Sequence, residues 1–455
     1  MAQNTDKKYL EMTQTPVEKL IVKLAIPSIL SMLVTTIYNA ADTFFIGQIS
    51  TSASAAVGVC FSLMAVIQAL GFFFGQGSGS SISRALGNQH GEKAEELASV
   101  GFFSAIGFGA ILGAEGLLFI EPLVFFLGAT ETIFPYAVDY LTIILIGAPF
   151  MAASFVLNNL LRFQGYSFYG MIGVTTGGVL NMILDPIFIF VFQMGIAGAA
   201  WATVVSQVIG LGILIYLNNK HSSVKIKLRN YRIRSCHIGD IFRGGLPSLL
   251  RQGISSVAVI CLNLAAKPYG DAAIAAMSIV SKITMFTNSA MLGFGQGFQP
   301  VCGFNYGARL FDRVKKGFFF CLKISFVCLT VLAVAEYFFA GNLVAVFRDD
   351  PEVIAIGEVA LRFQCLSLPT FSVVVMSNMM MQTSGKVLAA SLTGSARQGF
   401  ILIPLLFVLP SLFGLTGIQM AQPISDALTM VLSIPFVVAY FKEMEREKQA
   451  DLLNS

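Results

Sequence analysis

Apolar runs of about the 20 residues that a bilayer crossing needs recur along the 455-residue chain, separated by short polar stretches. They fall at 23–48, 53–83, 95–120, 134–161, 168–193, 196–218, 239–266, 272–304, 312–341, 353–383, 387–410 and 415–441. The pattern predicts an all-α integral membrane protein with twelve transmembrane helices. Between runs, basic residues gather on alternate sides. Lys7, Lys8, Lys19, Lys23, Arg84, Lys93, Arg162, the cluster from Lys220 to Arg243, Arg309, Arg313, Lys315, Lys316, Lys386, Lys442, Arg446 and Lys448 share one side. Only Lys267 and Arg348 fall at the outer ends. Because positive residues accumulate in cytoplasmic loops, both termini are expected in the cytoplasm, with the protein multi-pass in the plasma membrane.

The pattern also repeats. Phe74-Gly75-Gln76-Gly77 returns as Phe294-Gly295-Gln296-Gly297, and Ile26-Pro27-Ser28 as Leu246-Pro247-Ser248. Pro149 and Pro369, Asn158 and Asn378, and Gly165 and Gly385 keep the same displacement of 220, while Gly195 and Gly198 match Gly414 and Gly417 with 219. A fixed offset held over this length indicates duplication. Six helices per unit leaves the two copies in the same orientation, so a pseudo-two-fold axis along the membrane normal should relate two six-helix lobes. Such parallel repeats are a transporter architecture. The expected segments are a cytoplasmic N-terminus (1–22), an N-terminal lobe (23–218), a basic cytoplasmic linker (219–238), a C-terminal lobe (239–441) and a cytoplasmic tail (442–455).

Composition narrows the alternatives. The chain is 55% hydrophobic and 12% charged with mean hydropathy +0.75, against roughly 25% charged residues in an average soluble domain. The seven cysteines follow no metal-ligand or disulfide spacing and read as small apolar fillers. His90, His221 and His237 all fall in loops, so neither a catalytic triad nor an intramembrane metal centre of histidines is available. The expectation is a non-enzymatic, monomeric protein without a cofactor or nucleic-acid partner. Gly75-Gln76-Gly77-Ser78-Gly79-Ser80 superficially resembles a phosphate loop, but no Lys-Ser/Thr follows. Close helix packing accounts for it better.

Candidate chemistry centres on acids that lipid makes costly. Asp42 lies in the first run, Asp185, before Pro186, in the fifth, and Thr203 in the sixth. At about 1.5 Å per residue, Asp42 precedes Ser50 by roughly 12 Å, Asp185 precedes Met194 by roughly 13 Å, and Thr203 follows Gly195 by roughly 12 Å, which puts all three at one depth. Tyr38 with Asp42, and Asn181 with Asp185, are four apart and share a helix face. Two carboxylates, an amide and a hydroxyl can replace the oxygen shell of Na⁺ or share protons. Asp42 and Asp185 would be the metal ligands if the ion is Na⁺. The plainer alternative has Asp42 reaching the outer interface and Asp185 capping a helix break at Pro186.

Over nearly its whole length the chain resembles the multidrug and toxic compound extrusion (MATE) transporters. The resemblance is carried by Pro27 and Tyr38-Asn39-Ala40-Ala41-Asp42-Thr43-Phe44-Phe45-Ile46-Gly47, by Asn181 to Pro186, and by Gly295-Gln296-Gly297-Phe298-Gln299-Pro300-Val301-Cys302-Gly303-Phe304-Asn305-Tyr306-Gly307. It implies two lobes in a V and export of cationic or amphiphilic organic compounds in exchange for H⁺ or Na⁺. It also implies a first-lobe cation site of Asp42, Asn181, Asp185 and Thr203, with Tyr38 and Asn158 nearby and a bend at Pro27. The pattern is closer to the branch related to DNA-damage-inducible protein F and to staphylococcal-type exporters, because the seventh and tenth runs carry Arg251 and Arg362 where another branch has acids. The second lobe's intramembrane charges are read as the cations Arg251, Lys282 and Arg397, either pairing across helices, lining the cavity or snorkelling. Gln252, Met285, Asn288 and Asn378 are further cavity candidates. A lipid or lipid-linked oligosaccharide flippase of the same superfamily is the rival, and would use a more cationic groove.

Overall fold

The computed structural model describes residues 2–454, all helices and connecting turns, with no strand among the described residues. After α1 (Ala2–Gln14), the first half comprises α2 (Val17–Gly47), α3 (Thr51–Gly87), α4 (Gly91–Leu118), the short α5 (Ile120–Phe126), α6 (Phe134–Phe163), α7 (Ser167–Pro186) and α8 (Gly195–His221). The second half follows as α9 (Ser235–Ala266), α10 (Asp271–Gly307), α11 (Phe311–Phe338), the short α12 (Ala340–Phe347), α13 (Pro351–Thr383), α14 (Val387–Ala396), α15 (Leu402–Phe413) and α16 (Leu415–Asn454). Ten helices are long and apolar enough to cross a membrane. Two crossings escape that criterion: α10 is 37 residues long but carries polar groups along its length, and α14 and α15 are two pieces of one crossing divided at Arg397–Ile401.

The repeat is visible in backbone detail. Gly165 (φ 82°) ends the α6–α7 turn and Gly385 (φ 79°) the α13–α14 turn; Gly195 (φ 56°) and Gly414 (φ 59°) open α8 and α16. These left-handed values favour glycine, which explains why these residues stand out in the sequence comparison.

The halves meet along α2, α3, α9 and α10, and glycine makes the meeting possible. A Cβ on Gly297 would lie 2.3 Å from the Ala25 Cα, one on Gly244 2.9 Å from the Gly77 Cα, and one on Gly307 2.2 Å from the Arg84 carbonyl oxygen. Backbones packed this closely gain dispersion contacts without any hydrophobic drive, as membrane helices require. Hydrogen bonds join the same region: Gln299 donates to Gln76 (3.2 Å), Arg84 donates to the Thr383 carbonyl (2.7 Å), and Thr36 and Ser289 lie 2.9 Å apart. Among the described residues, every hydrogen bond and ion pair between the halves lies from Thr36 and Ser289 toward the face that bears the termini. On the opposite face no hydrogen bond or ion pair joins the halves among the described residues.

On the terminus-bearing face, the polar N-terminal segment forms a helix whose Met12 is fully buried. The 222–234 connection lies along α4, with Lys225 N–H and Asn230 donating to Glu95 and Lys227 N–H donating to Ser99. The segment 442–455, expected as a tail, continues α16 as far as Asn454.

Candidate functional site

The acid before Pro186 becomes a wall of a polar cluster because of how α7 ends. Proline has no N–H to donate, and α7 passes at Pro186 into one π-helical turn, Ile187–Val191. Gly198 makes room for that turn: a Cβ there would meet the Phe188 carbonyl carbon at 2.7 Å. The start of α8 therefore packs directly on the turn and carries Thr203 to the end of α7.

Asp185 is fully buried, Asn181 is 2% exposed and Thr203 5%. The Asn181 amide donates to Asp185 Oδ1 (3.2 Å) and to Thr203 Oγ (3.4 Å), while the Thr203 hydroxyl donates to the Ala199 carbonyl (3.1 Å). Asp42 lies within Coulombic reach of Asp185. Tyr38, one turn before Asp42, covers Gly178 on α7, where a Cβ would meet its ring at 2.9 Å. The four predicted cation-site residues and Tyr38 thus converge from α2, α7 and α8. Three oxygens there, Asp42 Oδ1, Asn181 Oδ1 and Asp185 Oδ2, are buried without a hydrogen-bond partner among the described residues. No basic side chain forms an ion pair with either acid among the described residues. A buried acceptor left unpaired costs roughly 1–3 kcal/mol, so this arrangement favours a proton or a hard cation at the oxygens. The capping alternative for Asp185 loses its support, since the carboxylate accepts from the Asn181 side chain one turn back and from no backbone N–H among the described residues.

The other predicted positions lie elsewhere. Pro27 stands inside an unbroken α2. Asn158 faces Gly170, whose Cβ would lie 3.3 Å from its Oδ1; that is 11 residues, about 16 Å along the helix, from Asn181. Asn378 makes the same contact in the second half, donating to the Ala390 carbonyl (2.6 Å) and Thr393 Oγ (3.2 Å). Gln252 and Asn288 are partly buried, and Met285 is exposed, all in the second half and apart from the acids. The Asn288 Oδ1 is buried without a partner among the described residues.

The view of the second half as holding only cations in its interior is corrected. Asp426 on α16 is fully buried and accepts from Arg397 Nε (2.8 Å), Gln422 (2.8 Å), Gln364 (3.0 Å) and Ser367 (3.3 Å). Arg397 does not snorkel; its guanidinium lies 4.0 Å from the Phe371 ring centroid. Glu336 on α11 accepts from Thr287 at 2.7 Å. Arg362 pairs with Glu358 at 2.6 Å. The signal for Asp426 is its place in an apolar run; its counterpart at the 219 displacement is the amide Gln207, so the repeat does not mark it as an acid.

Comparison with known proteins shows the family. The chain is 28% identical over 453 residues to the multidrug export protein MepA of Staphylococcus haemolyticus, covering 98% of this chain and 99% of that protein. MepA of Staphylococcus aureus is 27% identical over 437 residues, 95% and 96% of the two chains. The structure of a multidrug resistance MATE family transporter of the MOP superfamily, in an outward-facing conformation, superposes with TM-score 0.91 at 26% identity, covering 96% of this chain and 98% of that one. The MatE family model matches twice, at residues 27–187 and 247–408, once in each half, and the chain belongs to that family.

Proposed function

We propose that the protein is a secondary active multidrug efflux antiporter, exporting cationic or amphiphilic organic compounds across the cell membrane in exchange for H⁺ or Na⁺. Residues 23–218 and 239–441 are its two moving lobes, residues 219–238 the linker, and the face bearing both termini is cytoplasmic. The observation that carries the reading is the cluster of unpartnered buried oxygens on Asp42, Asn181 and Asp185, the first lobe's two acids being the carboxylates with a buried unpartnered oxygen among the described residues. In the second lobe, by contrast, four donors saturate the Asp426 carboxylate.

The mechanism follows from charge. With both acids ionised and close together, the first-lobe wall attracts a cationic substrate. A proton or Na⁺ arriving from outside neutralises the wall, releases the substrate there and removes the repulsion between the carboxylates. Coupling requires ion and drug to prefer different states, since a ligand with equal affinity for both shifts nothing. Tyr38 contributes an aromatic face beside the acids, and Pro27 in α2 is the bend through which occupancy of the site repositions the helix.

The flippase reading is the weaker one. It needs a cationic groove, and of its four candidate cations, Arg251, Lys282, Arg362 and Arg397, the last two already pair with Glu358 and Asp426.

The test is ion-driven export in proteoliposomes. Asp42→Asn and Asp185→Asn should each lower gradient-driven drug transport at least tenfold while the purified protein stays folded. Undiminished coupled export by both variants would overturn the proposal. Running imposed pH and Na⁺ gradients separately identifies the ion.

A further inference from the structure

Arg162, read from sequence as a cytoplasmic topology marker, is only 4% exposed. It stands at the end of α6, and side chains tilt toward the N-terminus of their helix, so it points away from the termini toward the middle of the span. Its Nη2 donates to Asn159 Oδ1 (2.5 Å), one turn back, and its Nε is buried without a partner among the described residues. Arg251 stands on α9, which runs the opposite way, so the same tilt points it toward the termini. Its Nη1 donates to Asn378 Oδ1 at 3.3 Å. Asn159 and Asn378 are 219 apart, within one residue of repeat-equivalent height, so the two guanidinium groups reach one level from opposite halves. They lie within Coulombic reach of each other.

Neither arginine forms an ion pair among the described residues; their carbonyl partners are neutral amides. Arg162 is buried and Arg251 half-buried, and like charges held near one another without a counter-charge repel. The repeat shows that a charge is not needed for packing here: the counterpart of Arg162 is Gln382, which donates to the Gly244 carbonyl (2.7 Å) and Ser248 Oγ (2.7 Å). The charge at Arg162 therefore has a use that Gln382 lacks.

We propose that Arg162 and Arg251 form an anion-binding site where the halves meet, taking one oxyanion group of carboxylate or phosphate type. The guanidinium N–H donors suit bidentate contact with such a group. Because each half supplies one arginine, a bound anion ties the halves together in the closed arrangement of the terminus-bearing face. The level of Asn158 lies about 16 Å along α7 from the acids, so acids and arginines stand at different depths, with the arginines nearer the face that bears the termini. A ligand with separated positive and negative ends would span this polarity.

The site can be tested by binding alone, independently of whether the protein exports drugs. The full-length protein in phosphatidylcholine nanodiscs and low-salt buffer is titrated with benzoate, with the neutral isostere benzamide, and with inorganic phosphate, following the thermal unfolding midpoint. Benzoate should raise the midpoint saturably and benzamide should not. Arg162→Gln and Arg251→Gln should each raise the half-saturating benzoate concentration at least tenfold. A phosphate response with the same arginine dependence assigns the site to free anions as well; a benzoate response alone assigns it to the acidic group of an organic ligand. Equal responses to benzoate and benzamide, or wild-type half-saturation in both variants, would overturn the proposal. Should Arg162→Gln fail to fold, Arg251→Gln decides alone, since its amide still offers a donor to Asn378.

Discussion

Asp426 and Asp185 are both fully buried carboxylates, yet their surroundings make them opposites. Asp426 accepts four hydrogen bonds, one from the Arg397 guanidinium, whereas Asp185 accepts one from a neutral amide and keeps Oδ2 unpartnered. The first arrangement fixes charge and structure. The second leaves the carboxylate open to an ion. Removing one partner of a buried ion pair costs about 3–5 kcal/mol, while replacing both by neutral groups costs far less. Asp426→Asn and Arg397→Gln should each therefore lower unfolding stability by about that amount, and the double variant should recover at least half of the loss, measured by thermal unfolding of the purified protein. Additive losses would mean that the two residues act independently. At this scale the sequence was most readable where a residue contradicted its surroundings: Asp42 and Asp185 stand out in apolar runs, and matched depth joins them to Asn181 and Thr203. The burial of Arg162 was not legible, because the end of a run is also where an exposed topology marker belongs. Whether it faces water or the joint depends on how α6 sits against the other half, which no local pattern records.

Helix packing sets the spacing between the two acids. α2 lies against α7 where Gly178 receives Tyr38 and Val34; a Cβ there would meet the Tyr38 ring at 2.9 Å and Val34 Cγ1 at 3.1 Å. An added methyl must push α2 away by a few tenths of an ångström, carrying Asp42 with it. Gly178→Ala should then reduce ion-driven export severalfold while leaving stability within about 1 kcal/mol of wild type, because no polar group is lost and the overpacking is mild. Gly212→Ala, which meets open space, should leave both unchanged. Proteoliposome transport and thermal unfolding of the two variants check this pair of expectations, and equal transport would mean that the acid spacing is not what α2 controls. The elements themselves were largely legible, since twelve apolar runs correspond to the crossings. Their ends were less so. The first run was placed to begin at 23, but α2 begins at Val17, because amphipathic turns at a membrane surface carry charge on one side and lack the uniform apolarity of the span. The break between α14 and α15 was hidden for a related reason: it begins at Arg397, whose partner Asp426 is 29 residues away.

For the whole molecule, the decisive feature is that the hydrogen bonds and ion pairs between the halves, among the described residues, lie toward the terminus-bearing face, and α1 straddles the joint there. Lys8 lies 4.7 Å from the Tyr166 ring centroid on the first half, while the carbonyls of Met12 and Thr15 accept from Asn305 (3.2 Å) and Arg313 (2.6 Å) on the second. A helix bonded to both halves raises the cost of separating them, so it biases the protein toward the arrangement closed on this face. Across the same joint run Lys316–Glu18 (2.8 Å) and Lys93–Asp240 (2.9 Å), but exposed pairs of this kind contribute only about 0–1 kcal/mol each. The hydrogen bonds that Arg313 makes are better shielded, so it is the residue to remove. Arg313→Gln, and more strongly deletion of residues 2–14, should shift the population toward opening on this face without unfolding either half. Hydrogen exchange read by mass spectrometry should show faster exchange in 77–87, 241–248 and 297–307, which line the joint. The segment 134–161 in the first half should stay at wild-type protection. If exchange rises equally in all of these, α1 stabilises the fold as a whole; if it rises in none, the glycine-packed joint holds the halves together without α1.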